Sequence, residues 1–379
     1  MHRPEIPSLT GLRFYAAGCV LWAHSVATFF IPAGIPVLKD TNVVGSVGMT
    51  LFFVLSGFVI HYNYGATVGT LKARPLANFA IARFARLYPL FLLCVVITIA
   101  MHRTPPASLA EAWPFYLTMT HDWIDRTVTG IPLGDLYAPG SWSISAEVLL
   151  YLFYIPMAYA LRRLRSCRVI LGAIIALVAV VTLFYVGRIA GWWWAAPNYW
   201  LFYRSPWCRL TEFGLGALVA ALYCARSEVM ATVQEHRYAA LAMLLGGAWV
   251  VGLLIATGLP WVKNPAAVLL ESWGLAPSAA ALIYYLARFK SPLSAWTENK
   301  MAIMLGEASY SIYLLHWVFV WVFTSSVVDA NALLLPKLLL AWLMTMLLAL
   351  GCYRYFEWPA RLAIRRAMVF PANVSARNY

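Results

Sequence analysis

The chain has 379 residues, of which 62% are hydrophobic and 11% charged, with a mean hydropathy of +0.72. Soluble domains carry about 25% charged residues, so the composition excludes an ordinary soluble protein and predicts an all-α polytopic membrane protein. The formal charge of +13 would suggest nucleic acid in a soluble chain. Here the basic residues fall in short loops between apolar runs, so membrane topology accounts for them and no nucleic-acid partner is expected. The six cysteines show no CxxC or metal spacing, and most lie in apolar runs where a free Cys acts as a small hydrophobe.

Ten apolar runs follow in chain order, at approximately 12–30, 45–65, 87–101, 143–161, 169–187, 206–223, 238–257, 265–286, 301–324 and 333–356. Each is about as long as a bilayer requires, the third being short. The first has no small-residue cleavage site and is read as a retained span. An even number of spans puts both termini on one side. The side shared with the N-terminus carries 20 Lys and Arg, the other 8, so both termini are predicted to be cytoplasmic. The whole of 1–366 reads as one transmembrane domain and 367–379 as a disordered cytoplasmic tail. The 17 tryptophans and 21 tyrosines suit the aromatic belts of such a protein.

The first run, Leu12 to Phe30, holds Arg13 and His24. They are 11 residues apart, close to three whole turns at about 100° per residue, so they share a helix face. At ~1.5 Å per residue His24 lies roughly 16 Å along the axis from Arg13. The topology assigns Arg13 to the inner surface and His24 to the outer half of the membrane. An ionisable residue at that depth is a functional candidate, whereas Arg13 reads equally as an interfacial anchor. In span two, FFVLSGFVIHY offers Ser56 and Gly57 for close helix packing, and His61 reads as an interfacial residue. RFARLYP then puts Arg83 and Arg86 on one helix face. They are either positive-inside anchors or a guanidinium clamp for phosphate.

The outer connection 102–142 is the longest, and its middle (111–119) is expected to form a short helix. With His121, Asp122, Asp125 and Asp135 it suits a sugar ligand or a solvated loop. In GSWSISAEVLLYLFYIP, Ser141 or Ser143 is positioned to cap span four. Glu147 falls at a depth similar to His24, where a carboxylate orients an imidazole or binds a sugar hydroxyl. Arg209 and Glu212 in RLTEFGLGAL form an i, i+3 pair near the outer surface. Span nine, LGEASYSIYLLHW, places Glu307 well inside the run and His316 in the outer third. Arg354 and Glu357 in YRYFEWPAR read as a structural i, i+3 pair.

LTGLRFYAAGCVLWAH, FFVLSGF, RFARLYP, WSISAE, RLTEFGLGAL, LGEASYSIYLLH and YRYFEWPAR, in that order, resemble the membrane-bound acyltransferase 3 family. The likeness is to the bacterial enzymes that O-acetylate O-antigen, exopolysaccharide and Nod-factor sugars. The family's Arg, ten residues, then His pattern matches Arg13 and His24. Its basic pair matches Arg83 and Arg86, and its acid in the tryptophan–serine motif matches Glu147. The family often has a second acid and Gln after that Glu, where this chain has Val148 and Leu149.

The resemblance implies transfer of an acyl group, most simply acetyl, from cytoplasmic acyl-CoA to a hydroxyl of a glycan or glycolipid, in the bacterial inner membrane. Acyl-CoA is then a co-substrate and no permanently bound cofactor is expected. Arg13, Arg83 and Arg86 would take the phosphates. His24 and Glu147 would be catalytic, His24 as general base or as a transiently acylated relay. Ser143, Arg209, Glu212, His316 and Ser56 would support the acceptor side. Some relatives add a soluble esterase-like domain; this chain ends after span ten and is expected to act alone. The rival reading is a proton-coupled transporter or flippase, which would also need intramembrane His, Glu and Arg.

Overall fold

The structure, a computed structural model, describes residues 3–29, 42–102, 106–138, 140–190, 200–226, 229–257, 271–325 and 334–368. It is almost wholly helical. The long helices are α1 (Pro7–Phe29), α2 (Asn42–Val68) and α3 (Ala73–His102), followed by the short α4 (Pro106–Leu117). A two-stranded antiparallel hairpin of β1 (Thr127–Val128) and β2 (Ile131–Pro132) leads through α5 (Leu133–Leu136) into α6 (Trp142–Leu161). Next come α7 (Cys167–Ile189), a π-helical turn at Trp200–Arg204, α8 (Pro206–Arg226) and α9 (Val233–Thr257). The remainder is α10 (Ala276–Arg288), α11 (Pro292–Thr297), α12 (Lys300–Glu307), α13 (Ser309–Ser325), α14 (Leu334–Cys352), a second π-helical turn at Tyr353–Glu357, and α15 (Trp358–Met368).

Among the described residues seven segments are long and apolar enough to cross a membrane. They are 43–68, 73–101, 142–161, 167–188, 200–226, 233–253 and 335–368. Ile175, Val180 and Leu183 of α7 and Leu244, Leu245 and Ile255 of α9 stand largely exposed. So large an apolar surface is stable only against lipid or another apolar phase. Of the other expected runs, 12–30 is the 23-residue helix α1, and 265–286 lies partly outside the described residues. The tail expected over 367–379 lies outside them beyond Met368.

Two expected runs differ in extent. The third is not short: α3 runs from Ala73 and continues through Pro89, so Arg83 and Arg86 lie within a helix rather than in a loop before one. The ninth is not continuous. Asn299 caps the start of α12 through its side chain, and α12 ends at Glu307; Ala308 has left helical geometry and α13 starts at Ser309. Glu307 therefore stands at a helix end, exposed, instead of inside a span.

α2 is the hub. It packs on α1 along one side and on α8 along another. The α2–α8 crossing needs glycine on both helices. A Cβ at Gly57 would lie 1.9 Å from the Phe213 carbonyl oxygen, and one at Gly216 1.9 Å from that of Val54. Small residues that let backbones approach gain van der Waals contact, which replaces the hydrophobic effect as the main attraction between helices in lipid. Phe58, Phe213 and Leu215 fill the space around the crossing and are fully buried. The residue before Gly57 on α2, Ser56, reaches α6. At the other end of the chain, α15 packs on α3.

Candidate active site

α1, α2, α3, α6, α13 and α15 enclose one large cavity of about 750 Å³, within the range of small-molecule sites. One end is cationic. Arg3, Arg13, Arg74, Arg83, Arg86, Arg361 and Arg365 line it, against Glu5, Glu147 and Glu307. Seven cations against three carboxylates leave a net positive wall. Among the described residues Arg13, Arg83, Arg86, Arg361 and Arg365 make no ion pair.

Arg83 donates to the Tyr64 hydroxyl at 3.0 Å and lies over the Tyr64 and Tyr151 rings, while its Nε is buried with no hydrogen-bond partner among the described residues. A buried guanidinium held by ring faces, with a donor to spare, is preorganised for an anion. Arg13, Arg83 and Arg86 thus come together as their spacing suggested. Arg361 and Arg365, one turn apart on α15, join them and were not singled out in the sequence.

Glu147 lies on the cavity wall. Its two carboxylate oxygens accept from Ser56 Oγ and from Tyr151 OH, each at 3.0 Å. Ser56 is therefore a polar partner of the acid, while its neighbour Gly57 does the close packing. One turn before Glu147, Ser143 shares a 2.7 Å hydrogen bond with Tyr313 OH, which also donates to the Gly140 carbonyl. Neither Ser141 nor Ser143 caps α6 through its side chain. Ser143 and Tyr313 close the cavity at the end away from the arginines, and both line it.

Beyond Tyr313 lies the histidine. His24 Nδ1 is 2.9 Å from His316 Nε2, the two rings are stacked 6° from parallel, and His316 Nδ1 donates to the Tyr313 carbonyl. Trp317 leans over both rings, its buried Nε1 without a partner among the described residues. His316 is thus a nitrogen partner of His24, while the Glu147 oxygens accept from Ser56 and Tyr151. The arginines and Tyr313 line the cavity, whereas His24 and His316 are not among its lining residues.

Several supporting residues have structural work. Arg209 and Glu212 form a 2.7 Å ion pair with both side chains fully buried, stacked against Tyr203 and Phe53. The i, i+3 pair therefore forms as its spacing suggested, enclosed among the helices. His61 is also buried rather than interfacial, and bonds to Tyr154 OH. The Arg354–Glu357 pair is not formed. The π-helical turn swings Glu357 inward, where it accepts from Ser311 Oγ at 2.6 Å, and leaves Arg354 exposed.

The connection that read as a sugar-binding surface or a solvated loop folds over the start of α6. His121 and Asp122 are buried. His121 bonds to Ser141 and stacks on Tyr116, while Arg204 bridges Asp122 and Asp135. Burial lowers the His121 imidazole to about 3, so it is neutral at pH 7. Burial also pushes the Asp122 carboxyl up to about 7, against the pull of Arg204.

A family model described as "Acyltransferase domain" matches residues 6–354. The chain belongs to this acyltransferase family. A relative named acyltransferase MdmB, from Streptomyces mycarofaciens, is 27% identical over 83% of this chain and 79% of its own length. A second, named O-acetyltransferase OatA, from Staphylococcus aureus, is 24% identical over 98% of this chain. The chain spans 60% of that relative's length. No solved structure matches. The family match ends at residue 354; Arg361 closes the YRYFEWPAR motif, and the i, i+4 spacing of Arg361 and Arg365 on an amphipathic helix was the signal that joins them.

Proposed function

We propose that this acyltransferase moves an acyl group, acetyl by preference, from cytoplasmic acyl-CoA to a hydroxyl of a cell-surface polysaccharide, lipid-linked oligosaccharide or glycolipid. His24 acts as the general base. The observation that carries this reading is one cavity that begins among unpaired arginines and ends at Tyr313, whose backbone carbonyl holds the His316–His24 pair. Family membership and the O-acetyltransferase relative support the class of reaction.

In this reading the phosphates of CoA bind among Arg13, Arg83, Arg86, Arg361 and Arg365, since guanidinium forks match phosphate oxygens. The pantetheine arm runs along the cavity past Glu147 toward Ser143 and Tyr313. The acceptor hydroxyl comes from the other side. His24 removes its proton as the oxygen attacks the thioester carbonyl; the C–S bond breaks, and the leaving thiolate takes that proton to give CoA. Glu147, held by Ser56 and Tyr151, fixes the donor or acceptor on the cavity wall. The asymmetry of basic residues supports both termini in the cytoplasm, and the bacterial relatives support a bacterial inner-membrane location.

The test is CoA release from labelled acetyl-CoA in membranes carrying wild-type protein or His24→Ala. A general base contributes about 10²–10⁴-fold, so the variant is expected to lose at least a hundredfold of acceptor-dependent release. Undiminished release would sink the mechanism, and substrate uptake without CoA turnover would point to transport.

A further inference from the structure

We infer that His316 is a positioning residue that fixes the tautomer of His24, placing the ring's basic lone pair on Nε2. The inference rests on the reading of His24 as the general base and adds which nitrogen does the work and what sets it.

The argument runs along three atoms. A carbonyl oxygen can only accept, so the contact from His316 Nδ1 to the Tyr313 carbonyl requires a proton on His316 Nδ1. His316 is buried and makes no ion pair among the described residues. An unpaired buried cation is costly, so the ring is neutral and its Nε2 carries a lone pair. That lone pair faces His24 Nδ1 at 2.9 Å. Two lone pairs at that distance would repel, so His24 Nδ1 must carry the proton and donate it. The remaining nitrogen of neutral His24 is then the acceptor. Which ring nitrogen is basic is set by the hydrogen bond the other makes.

The backbone carbonyl belongs to Tyr313, whose ring closes the cavity, and His316 follows it by one helical turn. The helix that ends the cavity therefore also orients the base beyond it. When His24 Nε2 takes the acceptor's proton, the imidazolium keeps its Nδ1–H on His316 Nε2, so the pair needs no rearrangement before the proton passes to the thiolate. A carboxylate partner would do the same while adding charge. A neutral imidazole does it with no ion in the apolar interior.

The experiment is nitrogen-15 NMR of the full-length protein, labelled at histidine, in nanodiscs at neutral pH. The His24 resonances are assigned by their loss in His24→Ala. The expected spectrum shows His24 protonated at Nδ1 and bare at Nε2, and His316→Leu moves the His24 proton to Nε2. In that variant kcat falls about a hundredfold while KM for acetyl-CoA stays within about twofold, because uniform binding is untouched. His316→Gln, whose side-chain oxygen can accept from His24, recovers most of the loss.

A wild-type His24 protonated at Nε2 overturns the inference, as does a Leu variant that keeps both tautomer and kcat. If the Leu variant does not fold, the wild-type spectrum decides alone. The base reading fails separately: a His24→Ala protein with full transfer would remove it, whatever the NMR shows.

Discussion

At the scale of single residues, the site combines groups whose roles follow from what they touch. Glu147 is an acid on an apolar helix, and its two oxygens are each taken by one hydroxyl, Ser56 and Tyr151. A hydrogen bond to a charged group is worth about 1.5–3 kcal/mol, or about ten- to a hundredfold in rate. Ser56→Ala is therefore expected to lower kcat/KM for acyl transfer by that factor in membranes; unchanged kinetics would show that Glu147 needs no such support. Glu147 was legible in the sequence because a carboxylate inside an apolar run is conspicuous. Its partner was not, because serine beside glycine in a span reads first as packing, and only the α2–α8 crossing separates the two roles. His24 was legible for the same reason as Glu147, while its link to His316 joins residues 292 positions apart that no local pattern connects. Asp122 shows the opposite outcome. Its position in a polar loop suggested a ligand-facing acid, yet it is buried against Arg204. Its carboxyl, pushed up to about 7 by that burial, stays protonated in the folded state between the unfolded value of about 3.9 and pH 7. The folded state then holds the extra proton, so stability falls as pH rises through this interval. The melting temperature of detergent-purified wild type should drop relative to Asp122→Asn between pH 5 and 8; parallel profiles would show that Asp122 does not titrate in the fold.

At the scale of elements, the long apolar helices were readable because length and hydropathy suffice in a membrane. What hid from the sequence were the places where a helix bends or stops without leaving an apolar run. The break at Ala308 occurs between two apolar stretches, and it delivers Glu307 to the cavity. The π-helical turn at Tyr353–Glu357 inserts an extra residue per turn, which buries Glu357 and rotates the face that α15 turns toward α3. YRYFEWPAR looked structural because its charges were paired by sequence spacing alone. The structure unpairs them and carries the chain on to Arg361 and Arg365 at the cationic end of the cavity. A phosphate contact of the charge-assisted kind predicts that Arg361→Ala or Arg365→Ala raises KM for acetyl-CoA about ten- to a hundredfold with little change in kcat. Arg354→Ala, in the preceding π-helical turn but exposed, serves as the control and is expected to leave KM alone. Equal effects at all three positions would reduce the cluster to a general surface charge.

For the whole molecule, the proposed reaction requires a donor and an acceptor to meet from opposite sides of the membrane. The folded 106–138 segment covers the start of α6 through His121, Asp122 and Trp123. From there α6 leads inward to Ser143, Glu147 and Tyr151, toward the arginines. The histidine pair packs on Trp317, which lies beside Gly140 at the start of α6, while the arginines line the cavity. Lipid would touch the exposed apolar faces of α7 and α9. In the proposed topology, with the Lys- and Arg-rich side inward, the cationic end faces the cytoplasm, where acyl-CoA is made. CoA cannot cross a bilayer unaided, because a multiply charged molecule is too costly to desolvate. Sealed vesicles of the two orientations therefore separate the possibilities. Inside-out vesicles given labelled acetyl-CoA in the bulk should release CoA, whereas right-side-out vesicles should not until they are permeabilised. Arg83→Ala should abolish most of that release in inside-out vesicles, since its buried guanidinium lies on the path proposed for the donor. Release from intact right-side-out vesicles instead would reverse the orientation and move the donor to the side of the folded connection.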